Sequence, residues 1–92
     1  MVAHEELKVL KISGSSPTKE TAGSIVKTYE SGHHNIELRA IGASSVNQMF
    51  KAMATASSIF ATQGKVLSCR PGYDTADIDG DKTVMIARII ID

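Results

Sequence analysis

Twice in this chain a short strand-like run crosses a Gly/Ser-rich turn and becomes a helix-like stripe. In "IELRAIGASSVNQMFKAMATASSIF", Ile36 to Phe60, alternation gives way at Gly42 to a 3.6-residue spacing. Ile36, Leu38 and Ala40 fall on one face of the strand, with Glu37, Arg39 and Ile41 on the other. The stripe that follows collects Val46, Met49, Phe50, Met53, Ser57 and Phe60 on one helix face, and Gln63-Gly64 ends it. Met49 and Met53 read as flexible core fillers. The same change occurs earlier. "LKVLKIS", Leu7 to Ser13, reads as a strand, and "GSSPTKETAGSIVKTYESG" reads as a helix with Ala22, Ile25, Val26 and Tyr29 inward and Gly32 past its end. Ser16 suits an N-cap, and Pro17 suits the first helical position. Gly23 weakens this helix and permits close packing.

"KVLSCR", Lys65 to Arg70, reads as a third strand interrupted by Pro71-Gly72. "YDTADIDGDKTVMIARIIID" reads as a hairpin turning at Asp79-Gly80, a pair suited to a type I′ turn. Its last strand is apolar on both faces. Val84, Ile86 and Ile90 alternate with Met85, Ala87, Ile89 and Ile91, which places it inside a sheet or at a subunit interface. The order is β-α-β-α-β-β. Right-handed crossovers put both helices on one face of a mixed four-stranded sheet, giving a two-layer α/β sandwich. Residues 1–6 read as a flexible tail and 7–92 as a single domain. The other sheet face needs cover, and for 92 residues the simplest cover is a second copy.

Ten basic and ten acidic residues cancel, so no overall charge announces a polyanionic partner. Lone Cys69 excludes an intrachain disulfide, and its expected state is a small, partly buried apolar side chain. With no secretory or membrane-spanning run, the expected location is the cytoplasm. No spacing supports a catalytic triad, a metal site, a cofactor or a small-molecule substrate. His33-His34 reads as an exposed turn without further ligands, and "DTADIDGD" lacks the ligand pattern of a calcium loop.

Two readings stand for the helix starts. Ser16 and Ser44 serve as caps, or free backbone amides at "GSSP" and "GASS" contact phosphate with help from the helix dipoles. If the first two strands are parallel neighbours, both starts lie at one sheet edge. Asn47 and Lys51, one turn apart and away from the Val46/Phe50 stripe, either extend that surface or form a solvated face.

The combination of "AIGASSVNQMFKAMATA", "QGKVLSCRP" and "TADIDGDKTVMIARIII" resembles the stage V sporulation protein S family, with "LKIS" and "SSP" agreeing more loosely. The resemblance spans Leu7 to Ile91. It implies an Alba-like fold, since that family is related in fold to the Alba chromatin proteins, dimers that bind DNA and RNA. It also implies a non-enzymatic regulator linked to sporulation or cell division. Carried over by position, the implied contacts are Ser15, Ser16 and Lys19, then Ala43, Ser44, Ser45 and Asn47, and the hairpin from Ile78 to Lys82. Lys51, Arg70 and Lys82 are further candidate cations. The departures are in charge: "GASS" has no basic residue, and Asp74 to Lys82 carries four Asp against one Lys, −4 + 1 = −3. The expected partners are a nucleic acid and a second copy, as a homodimer with a tetramer as the alternative. The competing reading is a protein-interaction or self-assembly module without nucleic-acid binding.

Overall fold

The structure, a computed structural model, describes residues 6–77 and 81–92. The tail expected at residues 1–6, except Glu6, and the Asp79-Gly80 turn lie outside the described residues. The elements are β1 Lys8–Ile12, α1 Thr18–Glu30, β2 Ile36–Ile41, α2 Ala43–Ala61, β3 Leu67–Asp77 and β4 Asp81–Ile91. They form one four-stranded sheet in the order β1-β2-β4-β3. β1 and β2 are parallel neighbours, while β4 runs antiparallel to both β2 and β3. The helices pack on each other and on one sheet face, as the change of hydrophobic period requires.

That face carries Leu10, Ile12, Ile36, Leu38, Ala40, Ala87 and Ile89 into the core, under Ala22, Ile25 and Val26 of α1 and Met49, Ala52, Met53, Ala56 and Phe60 of α2. Phe60, Ile25, Ile36 and Leu38 are the largest fully buried side chains. Each contributes roughly 1.5–3 kcal/mol by leaving water. The ring of Tyr29 meets Phe60 edge-on at 5.3 Å and stacks on His34 at 4.2 Å. His34 is thus an exposed residue with one ring face covered.

β4 lies between β2 and β3; Ala87 and Ile89 face the helices, whereas Val84, Ile86 and Ile90 share the uncovered face with Arg88. The expected break at Pro71-Gly72 does not occur, because β3 runs continuously from Leu67 to Asp77. An edge strand tolerates proline, since half of its N–H groups point away from the ladder. Three other expectations are corrected. Phe50 is 69% exposed, and the inward stripe of α2 uses Ser45, Ala52 and Ala56 instead. Small residues let α2 approach the sheet closely where a phenylalanine would not fit. Gly23 faces open space, so no close packing depends on it. Cys69 is exposed, on the edge strand β3.

Candidate functional site

The parallel pairing of β1 and β2 sends both chain exits out at the same end of the sheet. The segment from Ser13 to Pro17 and the turn at Gly42 meet there. Gly42 enters α2 at φ 89° and ψ 156°, a conformation that a side chain makes costly. The two turns are in direct contact: a Cβ added to Gly14 would lie 2.5 Å from Ser44 Oγ and 3.1 Å from Ser44 Cβ. Gln48 Nε2 donates to Ser16 O at 2.7 Å, tying α2 to the entrance of α1.

Neither serine caps its helix. Pro17 and Gly42 occupy the N-cap positions, and neither helix has a side-chain cap hydrogen bond. The Ser16 hydroxyl instead accepts from Ser13 N–H at 2.9 Å, and the Ser13 and Ser15 hydroxyls share a hydrogen bond at 3.2 Å. Serine is used here to brace the loop, which leaves the first-turn amides without side-chain acceptors. Glu20 in the first turn of α1 partly answers that helix's dipole, whereas α2 has no acidic residue in its first turn. The start of α2 is therefore the stronger attractor for an external anion.

The predicted contact residues separate into four places. Ser15, Ser16, Lys19 and Ser44 lie on the ledge made by the two helix starts, with Ser15, Lys19 and Ser44 exposed. Ser45 is only 9% exposed and faces inward. Asn47 and Lys51 are exposed, but Asn47 does not lie away from Phe50. It lines the same open hollow of about 880 Å³ as Ile41, Val46, Phe50, Lys82 and Met85. Arg70 is remote from the helix starts, on the sheet face that the helices leave uncovered.

That open face was not legible as a unit along the chain. Its centre is Glu37, 4% exposed, whose carboxylate accepts from Arg39 Nε at 2.6 Å and Arg88 Nη2 at 3.1 Å. Burial pushes the Glu37 carboxyl upward, but the hydrogen bonds and charges of Arg39 and Arg88 outweigh this and hold its pKa below the usual value. Arg88 also donates through Nη1 to Asn35 Oδ1 at 3.3 Å. The available signal was strand parity: Glu37 and Arg39 share one face of β2, and Arg88 shares the parity of Val84 and Ile86.

Among the described residues, no group of three or more His, Cys, Asp and Glu side chains is placed to hold a metal ion. No helix among them is long and apolar enough to cross a membrane.

The sequence profile of the family described as stage V sporulation protein S matches residues 8–92. Among solved structures, the chain is similar to Alba from Thermoplasma volcanium. The TM-score is 0.60 and the identity 15%, over 94% of this chain and 98% of that one. At that identity the likeness establishes the fold, which is Alba-like.

Proposed function

The chain belongs to the stage V sporulation protein S family, and from that premise we propose that it is a non-enzymatic cytoplasmic regulator that binds DNA or RNA through the phosphate backbone, as a homodimer. The observation that carries this reading is the contact between the two helix starts. Gly14 against Ser44, and Gln48 against Ser16, join them into one ledge with uncapped amides and exposed hydroxyls. Such groups position a backbone without reading sequence, and they need little net positive charge. Lys19 adds a cation there; Lys51 lies about 10 Å further along α2 than Ser44.

For self-association, the hollow beside Phe50 is the better surface. A two-fold axis brings a patch against its own copy. On the open sheet face that would oppose arginines, whereas at the hollow it would oppose Val46, Phe50 and Met85. Phe50, and Tyr73, which is 76% exposed and pairs across the sheet with Met85, are large apolar groups left in water. The same hollow favours the second reading, a module that docks a protein partner without binding nucleic acid.

The test is fluorescence anisotropy of a labelled duplex of roughly 30 bp and of a single strand, titrated at several salt concentrations. Binding that weakens with salt, and weakens again in Lys19→Glu and Ser44→Glu, supports the first reading. Absence of binding at low salt refutes it and leaves the protein-interaction reading.

A further inference from the structure

All three arginines of the chain, Arg39, Arg70 and Arg88, lie on the open face of the sheet, with Lys11 beside them. They come from four different strands. The cross-strand register sets Lys11 next to Arg39, Glu37 next to Arg88, and Arg88 next to Arg70. Glu37 is the one carboxylate within this group, and it is already engaged by Arg39 and Arg88. Arg70 and Lys11 are exposed and have no ion-pair partner among the described residues. Arg88 Nε, moreover, is buried without an acceptor among the described residues.

Like charges directly opposite each other on a sheet destabilise it. Arg70 opposite Arg88 is such a pair, and a bound anion would convert that repulsion into attraction. The residue type also matters. A guanidinium meets phosphate through two parallel N–H groups, and Glu37 fixes the planes of two of the three. The side chains of Arg39 and Arg88 nonetheless remain 34% and 43% exposed, so their outer edges stay within reach of a ligand.

We propose that this open sheet face is a second phosphate-binding surface, taking the backbone of a nucleic-acid strand across Lys11, Arg39, Arg88 and Arg70, with Glu37 as the positioning residue. This rests on the nucleic-acid reading above and extends it to the opposite side of the sheet from the helices. The spread of the cations favours a linear polyanion over a metabolite. Two depressions divide them, one of about 220 Å³ beside Arg70 and Arg88 and one of about 380 Å³ beside Lys11 and Arg39, and neither gathers all four. The cations, by contrast, span all four strands, about 14 Å across at the usual strand spacing.

The experiment uses the full chain with a labelled single strand of roughly 20 nucleotides and a duplex of roughly 30 bp, titrated across a salt series. Arg70→Gln is expected to lower affinity about three- to tenfold and reduce the slope of log affinity against log salt by about one. Lys11→Gln should add a similar loss, and Arg70→Lys should restore the slope but not the full affinity. Circular-dichroism melts should show Arg70→Gln folded with an unchanged or higher midpoint. Wild-type affinity and slope in the Lys11→Gln/Arg70→Gln double variant, with Lys19→Glu still weakened, would overturn the second surface while leaving the helix-start reading intact. A wild-type protein that fails to bind either probe at low salt overturns both. Poly-glutamate binding as tightly as nucleic acid, with the same dependence on Arg70, would reassign the face to an acidic protein and also overturn the proposal.

Discussion

Replacing Glu37 by glutamine removes the one negative charge at the centre of the open face while keeping the side chain's shape. The carboxylate is 4% exposed and holds two charge-assisted hydrogen bonds, at 2.6 Å to Arg39 and 3.1 Å to Arg88. Such bonds contribute about 1.5–3 kcal/mol each, and glutamine retains one acceptor while turning an amide donor toward the other guanidinium. Breaking a fully buried ion pair from one side costs about 3–5 kcal/mol. Here the arginine side chains are 34% and 43% exposed, so water takes over part of the lost bonding. The expected loss is therefore about 2 kcal/mol, or roughly 8–16 °C in Tm for a domain of this size. The pH dependence has a definite sign. The folded pKa of Glu37 is depressed, so its contribution is fully present above the ordinary value of 4.5 and is lost as pH falls through the folded value. Urea unfolding of wild type and Glu37→Gln should show a constant gap from about pH 6 to 8 that narrows below about pH 4. A gap under about 0.5 kcal/mol at neutral pH, or one that persists unchanged into acid, would refute the assignment of Glu37 as a charged clamp.

Three further substitutions probe the other surfaces. Gly42→Ala forces a side chain onto φ 89° and should cost about 1–3 kcal/mol in urea unfolding; an unchanged midpoint would show that the turn relaxes freely. Gly14→Ala crowds Ser44, whose exposed hydroxyl can turn aside while its Cβ stays at 3.1 Å, and should cost about 1 kcal/mol. Adding Ser44→Gly should recover most of this, and a double variant no more stable than Gly14→Ala alone would deny the contact between the two helix starts. Phe50→Asp, at a 69% exposed position, should leave the unfolding free energy of dilute protein within about 0.5 kcal/mol of wild type while lowering the mass measured by light scattering from dimer to monomer. An unchanged mass would remove the hollow as the self-association surface.

Much of the architecture was legible because hydrophobic period is a local property. Ile36, Leu38 and Ala40 announced a strand, and Ala22, Ile25 and Val26 a helix, without reference to any partner. Apolar residues on both faces of β4 pointed to a place inside the sheet or at a subunit interface, and the strand order puts β4 between β2 and β3. The misreadings occurred where a neighbour decided the outcome. Phe50 fits the apolar stripe of α2 by spacing, but the helix is pressed against the sheet at Ala52 and Ala56, which rotates the larger ring into water. Pro71 looked like a break because a proline in a central strand would be one, and only the strand order places it on an edge. Ser16 and Ser44 had the right chemistry for caps, but the approach of Gly14 to Ser44 set a different geometry.

By itself, then, the sequence determined the element order, the inward residues of α1 and β2, and the family to which the chain belongs, all encoded in residue type and near-neighbour spacing. The tertiary structure alone decided where charge accumulates. Lys11, Arg39, Arg70 and Arg88 are scattered along a chain of zero net charge, and each looks ordinary in its own segment. Strand pairing across β1-β2-β4-β3 brings them together, because a sheet makes neighbours of residues that are dozens of positions apart.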